Sequence, residues 1–369
     1  MHDLAHYLLR RPLAHFSVIL LLLLLLGLPA APAAAVTAPI LDLNGEADGI
    51  NAVATFSEDE GAESIVSATG LFISYSDGAT LTAARAKLVA RPNGALESLS
   101  ADPGATGLTV KYLPGKGELT VEGVAPIAAY QQVLRTLAYN NTSPAPNTDD
   151  RLVEVTVSDS ALTSAVATTT IYINAVNDAP VLDNSGDMAL PSINEDDVNS
   201  GGNSIMGIIE SAEQHGEDRI TDVDADALEG MAVIEAVSTN GVWQYSLTAG
   251  ANWSPFPAVS NTAAILLNET SRIRFVPAPG YSGSASFVFR AWDQSAGREN
   301  GQTGVDVSIN GGTTAFSAQS ETVVIEVLAV DDLPLIDLNG PEEGTALSPP
   351  FTGGAGAGAL AGPDPTLPD

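Results

Sequence analysis

Short runs in which apolar and polar residues alternate recur along the chain, separated by turn-forming residues. Residues 151–157, 271–276 and 285–290 alternate with period two, which is typical of β-strands with one buried face. The turns between such runs contain Gly or Pro, as in Pro92-Asn93-Gly94, Pro114-Gly115, Pro279-Gly280 and Gly311-Gly312. Many short strands punctuated in this way predict an all-β fold of β-sandwich domains.

One segment has a different pattern. Residues 125–137 are rich in Ala, Gln and Leu, and Val133, Leu134 and Leu137 recur at helical spacing. This periodicity predicts a short connecting helix within the first unit.

A junction motif is repeated along the chain. Pro39-Ile40-Leu41-Asp42-Leu43-Asn44-Gly45 returns almost unchanged at residues 334–340, and more loosely at 180–186. The three prolines stand about 141 and 154 residues apart, which indicates a tandem array. We predict domains at 38–178 and 179–332. Residues 333–369 would be the start of a third repeat and a disordered Gly/Ala/Pro-rich tail, which favours a fragment of a longer array.

The N-terminal residues predict export. Arg10 and Arg11 precede a leucine-rich run at 16–28, and Ala33-Ala34-Ala35 matches the pattern of a signal-peptidase site. The run is shorter than the roughly 20 apolar residues that span a bilayer. We therefore interpret residues 1–35 as a cleaved signal peptide. The mature protein is then secreted, extracellular or attached to the cell surface, without stable membrane insertion.

Composition excludes several kinds of chemistry. The chain has no cysteine, and His215, in a polar stretch that suggests a solvated loop, is the single histidine after the signal segment. Cys/His and His₃ zinc sites and thiol nucleophiles are thereby excluded within one chain. The sequence also contains no nucleophile elbow, phosphate loop or HExxH motif. We expect a protein that is not an enzyme.

The charge is strongly negative. Asp and Glu number 45 against 14 Lys and Arg, a formal net charge of −31. A field of this sign repels nucleic acid and anionic lipid, and it suits multivalent cations. Acidity that merely keeps an extracellular protein soluble is the alternative explanation.

Acidic motifs at the junctions carry a resemblance to a known family. Asn177-Asp178-Ala179-Pro180 forms the linker, and the second unit contains Asn194-Glu195-Asp196-Asp197, Asp222-Val223-Asp224-Ala225-Asp226 and Asp293. On these residues the chain resembles bacterial-type cadherin-like repeats and, more distantly, animal cadherins, over most of residues 38–340. The resemblance implies an all-β fold of tandem cadherin/immunoglobulin-like β-sandwich domains, with calcium (Ca²⁺) bound between successive sandwiches. It also implies a role in adhesion or as a stalk, with other cell-surface proteins or glycans as partners.

The resemblance further implies two calcium sites, built from the oxygen ligands that calcium prefers. The residues of the first would be Glu58, Asn177, Asp178, Asp222, Asp224 and Asp293. Those of the second would be Glu195, Asp331 and Asp332. If residues 222–226 are extended, their three aspartates share one face. The alternative role for these acids is turn formation, because Asp and Asn tolerate turn geometry.

The first unit departs from this pattern. It has Ile73-Ser74-Tyr75-Ser76-Asp77 where the second has Ile220-Thr221-Asp222-Val223-Asp224, so that Tyr75 replaces an aspartate. We therefore expect no ion at the outer end of the first unit.

Three aromatic residues, Trp243, Tyr245 and Trp253, lie close together in sequence. Trp243 and Tyr245 would share a strand face, either to stack on a sugar ring or to pack in a core or hairpin. The first possibility makes a carbohydrate-binding module of an extracellular polysaccharide system the alternative function.

Overall fold

The computed structural model describes residues 37–45, 47–212 and 218–331. The predicted signal peptide, His215, Asp332 and residues 333–369 lie outside these ranges. The chain forms two compact units, and the change from the first to the second falls between Asn174 and Ala175. The predicted boundary a few residues further on remains a prediction. Within the described ranges, no helix is long and apolar enough to cross a membrane.

The first unit consists of short strands and one described α-helix. Its strands are β1 (Ile40–Asp42), β2 (Ala52–Ser57), β3 (Glu63–Ser64), β4 (Phe72–Ser74), β5 (Thr80–Leu88), β6 (Glu97–Ser100), β7 (Thr109–Leu113), β8 (Glu118–Pro126), β9 (Ala138–Asn141), β10 (Arg151–Ser158) and β11 (Ala167–Asn174). They form sheets of order β2-β11-β10-β5-β8-β7 and β3-β9-β6, and a pair β1-β4. β2 runs parallel to β11, whereas the other pairs described in this unit are antiparallel.

Alternation along the strands explains the core of the first unit. In β10, Val153, Val155 and Val157 are fully buried and belong to one apolar cluster. The predicted helix is confirmed as α1 (Ile127–Leu134), which buries Tyr130, Val133 and Leu134. It begins directly after Pro126, whose ring cannot donate a backbone hydrogen bond, a property tolerated at a helix start.

A buried ion pair also lies in the first unit. Arg151 Nε donates to Glu97 Oε2 at 2.9 Å, and both side chains are fully buried. The Tyr139 hydroxyl donates to the same oxygen at 3.0 Å, and the Asn93 N–H donates to Glu97 Oε1 at 2.7 Å. Arg151 Nη2 donates to Asn93 Oδ1 and to the Asn147 carbonyl, both at 3.0 Å. The two opposite charges neutralise each other inside the sandwich, and the hydrogen bonds give both side chains further partners.

The second unit has two layers of strands. They are β12 (Val181–Leu182), β13 (Met188–Ala189), β14 (Ile193–Asn194), β15 (Asn203–Ser204), β16 (Ile220–Thr221), β17 (Gly230–Ala236), β18 (Gly241–Ser246), β19 (Ser254–Pro255), β20 (Ile265–Asn268), β21 (Arg272–Pro277), β22 (Gly283–Trp292) and β23 (Glu321–Leu328). The larger sheet has the order β13-β23-β22-β17-β20, with β14 also parallel to β23. The others are β15-β21-β18-β19 and β12-β16. A short helix, α2 (Ile205–Ile209), buries Ile205, Ile208 and Ile209.

The larger sheet of the second unit is covered on both faces. Met231 and Val233 of β17 belong to the main apolar cluster, whereas Ala232 and Ile234 belong to a separate cluster with Trp292 and Phe316. The second cluster is closed by residues 293–320, which we name the insertion. The corresponding segment of the first unit, between β10 and β11, is only residues 159–166. The second unit therefore carries a long loop packed against its sheet.

Candidate functional site

The linker residues 177–179 are held by the insertion. The Ala179 N–H donates to the Gly312 carbonyl at 2.8 Å. Asn177 Nδ2 donates to the Thr314 carbonyl at 3.2 Å and to Asp293 Oδ2 at 2.9 Å. These contacts place Asn177 and its neighbour Asp178 beside the end of β22.

Two aspartates meet the linker just after β16. The Asp224 N–H donates to Asp222 Oδ1 at 2.9 Å, which folds the chain into a turn. The Asp178 N–H in turn donates to Asp224 Oδ2 at 2.8 Å. Both carboxylates are thereby brought to the start of the second unit.

Asp293 follows the last residue of β22 and is only 4% exposed. Its Oδ1 accepts from the Ser295 N–H at 2.7 Å, and its backbone N–H donates to the Ala315 carbonyl at 3.2 Å. Three separate segments therefore bring together Asp178, Asp222, Asp224 and Asp293, which we name the aspartate cluster.

Asp222 is the least satisfied member of the aspartate cluster. Its Oδ2 is buried and has no hydrogen-bond partner. Burial raises the pKa of Asp222 above its ordinary 3.8, and the charges of Asp224, Asp293 and Asp178 raise it further, opposed by the hydrogen bond from the Asp224 N–H. A carboxylate oxygen that is buried among like charges is costly unless a cation or a donor faces it.

A cleft of about 180 Å³ adjoins this carboxylate. Its lining includes Asp222, Asp224, Asp218 and Pro180. A dehydrated cation is smaller than this volume, and oxygen atoms are the ligands that calcium takes. The cleft therefore has room for a calcium ion, and its carboxylates offer oxygen ligands, while Ile220 and Leu228 give it apolar walls as well.

The turn interpretation accounts for part of the cluster. Asp222 Oδ1 and Asp293 Oδ1 each accept the backbone N–H two residues on, as turn-forming aspartates do, whereas Asp224 Oδ2 accepts the Asp178 N–H of the linker. Within the described ranges, no group of three or more His, Asp or Glu side chains is arranged to hold a metal ion as it stands. Turn formation leaves Asp222 Oδ2 unexplained. The cluster thus fits a cation by charge and by its unmet oxygen, and its carboxylates would have to draw together around one.

Residues 222–226 are not extended, so the condition under which their three aspartates would share one face is not met. β16 ends at Thr221, and the chain then bends, with the Ala227 N–H donating to the Asp224 carbonyl at 3.2 Å. Asp226 is exposed at this turn. Asp222 and Asp224 converge through a hydrogen-bonded turn because the Asp222 side chain captures the backbone two residues on.

Glu58 and Glu195 occupy equivalent positions in their own units. Glu58 follows the end of β2, and its N–H donates to the carbonyl of Asn174, the last residue of β11, at 3.0 Å. Glu195 follows β14, and its N–H donates to the Leu328 carbonyl at the end of β23, also at 3.0 Å. Both side chains are buried, at 3% and 7% exposure. The parallel pairing of each strand with the last strand of its unit therefore places a buried glutamate at the same end of both sandwiches.

The predicted second site is only partly described. Glu195 Oε1 accepts from the Val330 N–H at 2.7 Å, next to Asp331, which is exposed. Asp332 lies outside the described residues. This site, like the contribution of Glu58 to the first, remains a prediction.

The outer end of the first unit contains a hydrogen bond where the second has an unmet carboxylate oxygen. The Tyr75 hydroxyl, which stands in the place of Asp222, donates to Asp159 Oδ2. The Asp159 Oδ1 accepts from the N–H groups of Ala161 and Leu162, both at 2.6 Å. The Tyr75 hydroxyl thus satisfies the carboxylate that corresponds to Asp293.

A sugar-binding role for Trp243 is wrong. Its ring is fully buried and lies 5.0 Å from Phe275 and 5.1 Å from Phe287, centroid to centroid. Its Nε1 donates to the Val237 carbonyl at 3.1 Å, and Tyr245 packs against the same core. The alternating strand places these aromatic rings in the core, where no sugar reaches Trp243.

Sequence reasoning missed the insertion as part of this site. The acceptors for the linker are backbone carbonyls of Gly312 and Thr314, and a backbone carbonyl leaves no signature in residue identity. The one available signal was Asn310-Gly311-Gly312, which marks a tight turn without showing what the turn contacts.

No protein-family model and no curated protein matches the chain. Among solved structures, the extracellular cadherin domains 3–6 of protocadherin gamma B2 match at 10% identity and a TM-score of 0.36, over 80% of this chain and 52% of that one. Human mucin-like protocadherin EC1–2 matches at 13% and 0.32, over 76% and 97%. Mouse cadherin-23 EC22–24 matches at 12% and 0.34, over 80% and 69%.

This chain spans about half of the first of these solved structures. At such identities and TM-scores, the similarities assign no residue and no function to this chain. The all-β prediction is confirmed by the strands themselves, which form paired sheets in both units.

Proposed function

We propose that this chain is an extracellular calcium-binding repeat protein that acts in adhesion or as a stalk, without enzymatic activity. The observation that carries the proposal is the aspartate cluster, with Asp222 Oδ2 buried, unpartnered and surrounded by like charge. The predicted signal peptide, the repeated junction and the net charge of −31 support an extracellular, cation-rich setting.

The residues of the cluster suit calcium by chemistry. Carboxylates of Asp222, Asp224 and Asp293, with the Asn177 amide oxygen and backbone carbonyls, would supply the six to eight oxygens that calcium takes. Bound calcium would neutralise the cluster and supply the partner that Asp222 Oδ2 lacks. Because Asn177 and Asp178 belong to the linker, such an ion would also fasten the linker to the second unit.

Thermal unfolding of the full chain, with millimolar calcium and with a chelator, tests the proposal. At about 100 times its dissociation constant, a ligand specific for the folded state stabilises it by roughly 2.7 kcal/mol. We expect stabilisation of this order, absent from the double variant Asp222→Asn/Asp224→Asn and retained in Asp226→Asn, the exposed matched control. Isothermal titration of the same proteins gives the dissociation constant directly. Equal unfolding temperatures with calcium and with chelator would reduce these aspartates to turn formers.

A further inference from the structure

The insertion contains a tight turn at residues 311–316. The Gly311 N–H donates to the Phe316 carbonyl at 2.8 Å. The Thr314 hydroxyl lies 3.0 Å from the Gly311 carbonyl and 3.2 Å from the Phe316 carbonyl. Gly311 and Gly312 have φ values of 70° and 57°, a conformation that glycine adopts without strain. The Thr314 side chain therefore closes a turn whose shape depends on the two glycines.

This turn is attached to the sheet. Phe316 forms a bridge with Trp292 at the end of β22, and the Ser317 N–H donates to the Ala291 carbonyl at 3.0 Å. Phe316 is itself buried in the apolar cluster beneath the insertion. The turn thus has a fixed position relative to Asp293.

The turn presents two carbonyls to the linker. The Gly312 carbonyl accepts from the Ala179 N–H at 2.8 Å, and the Thr314 carbonyl accepts from Asn177 Nδ2 at 3.2 Å. The same Nδ2 donates to the Asp178 carbonyl at 2.8 Å and to Asp293 Oδ2 at 2.9 Å. Since the amide nitrogen is committed to these acceptors, the amide oxygen of Asn177 is the end left for a cation.

We propose that the 311–316 turn is a positioning element for calcium, with Thr314 as its positioning residue. The inference rests on the proposed function. The turn orients the Asn177 amide and anchors the linker before the ion arrives, so that less ordering remains to be done on binding. The first unit, with only residues 159–166 in the corresponding place, has no such segment. The insertion therefore makes the linker part of the second unit's binding site.

The test compares the full chain with Thr314→Val, which keeps the shape of the side chain and removes its hydroxyl. We expect the calcium dissociation constant from isothermal titration to rise about fivefold, the size of one net hydrogen bond. Thr314→Ser should restore it. Thr248→Val is the matched control, because the Thr248 hydroxyl also closes a loop, by accepting the Asn252 N–H at 2.9 Å. Hydrogen exchange at the Ala179 N–H in calcium-free protein should be faster in Thr314→Val only.

The outcomes separate this inference from the proposed function. If the wild-type chain binds calcium and Thr314→Val binds it equally tightly, the positioning role is wrong and the calcium site stands. If the wild-type chain binds no calcium, the proposed function is wrong and the positioning role falls with it. Weaker binding in Thr314→Val, with faster Ala179 exchange and rescue by serine, supports the inference.

Discussion

The equivalent ends of the two units share a backbone arrangement and differ in charge. Asp77 of the first unit accepts the Thr37 N–H, as Asp224 of the second accepts the Asp178 N–H. Two residues before this aspartate, the first unit has Tyr75, whose hydroxyl donates to a carboxylate, whereas the second unit has Asp222. One end satisfies its acids with its own hydroxyl, and the other leaves a carboxylate oxygen unmet. The comparison indicates that a tyrosine closes this end of the first unit, whereas an aspartate in the same place leaves a carboxylate oxygen of the second unit without a partner.

Glu97 shows another way in which the protein stabilises a buried carboxylate. Glu97 is as deeply buried as any acid in the first unit, and Arg151 neutralises it from within the chain. The charges acting on Asp222 come from other aspartates. Stability of the first unit should therefore be indifferent to calcium, whereas that of the second should depend on it.

Removing the buried guanidinium of Arg151 from the first unit should have the largest effect on stability. We expect Arg151→Met to cost about 3–5 kcal/mol of unfolding free energy, because Glu97 is left buried without its partner. The loss should be the same with calcium and with chelator, as measured by urea unfolding. Arg85→Met is the matched control, since Arg85 pairs with Glu118 at the surface and exposed pairs contribute about 1 kcal/mol or less. A loss that calcium rescues would contradict the division between the two units.

Placing a tyrosine, as at Tyr75 of the first unit, at position 222 of the second unit should have the next largest effect. Asp222→Tyr gives the second unit the residue that closes the first, and we expect it to abolish the calcium-dependent stabilisation of roughly 2.7 kcal/mol. Asp226→Tyr, at an exposed position in the same turn, should keep it. Differential scanning calorimetry with calcium and with chelator measures both. Full calcium stabilisation in Asp222→Tyr would show that Asp222 is not a ligand.

Much of the fold could be predicted because burial follows period-two alternation. The predicted runs at 151–157 and 271–276 are confirmed as β10 and β21, and the helix at 125–137 is confirmed as α1. The second unit also contains a strand, β17, that is buried on both faces. Its outer face is covered by the insertion, and sequence reasoning found no sign of that cover, because the insertion has turns and isolated bridges instead of a periodic pattern.

The sequence indicated which acidic residues gather at the linker and did not indicate the backbone arrangement that brings them there, and their binding of calcium remains a prediction. Asn177, Asp178, Asp222, Asp224 and Asp293 are brought together, as proposed from the sequence. The sequence left open whether residues 222–226 are extended or form a turn, and the structure shows a turn. Backbone carbonyls hold the linker. Every residue type has the same backbone carbonyl, so the sequence alone could not reveal which ones accept these hydrogen bonds.

A smaller effect concerns the calcium-free second unit. The raised pKa of Asp222 means that the folded state holds this proton more tightly than the unfolded state does. Its contribution to stability is therefore fully present below the ordinary value of 3.8, and is lost as pH rises through the raised folded value. Asp222→Asn has no such loss. Since the side chain is partly exposed, we expect the variant to be more stable than wild type by about 0.5–1 kcal/mol near pH 7 without calcium.

Chemical unfolding in chelator between about pH 4 and about pH 7 measures this difference. The gap should close as pH falls towards 3.8, and it should change sign when calcium is added, because the variant lacks a ligand. Asp226→Asn, with an exposed side chain, is the control and should follow wild type throughout. A calcium-free Asp222→Asn that is less stable than wild type near pH 7 would mean that the carboxylate makes a favourable contact in the absence of the ion.

The smallest effect belongs to the closed end of the first unit. Tyr75→Phe removes the hydroxyl that donates to Asp159, and we expect a slight fall in unfolding temperature that is equal with calcium and with chelator. The hydrogen bond to Asp159 is the main reason that the pKa of Tyr75 is raised to about 12 from 10.0. This contribution is therefore present below pH 10.0 and is lost as pH rises through about 12.

The contribution of this hydrogen bond is also lost in acid, because the pKa of Asp159 is lowered from 3.8, chiefly by the same bond. Wild type and Tyr75→Phe should thus differ between these limits and converge beyond them in thermal unfolding scans. A calcium-dependent difference between the two proteins would place an ion at this end and remove the contrast between the two units.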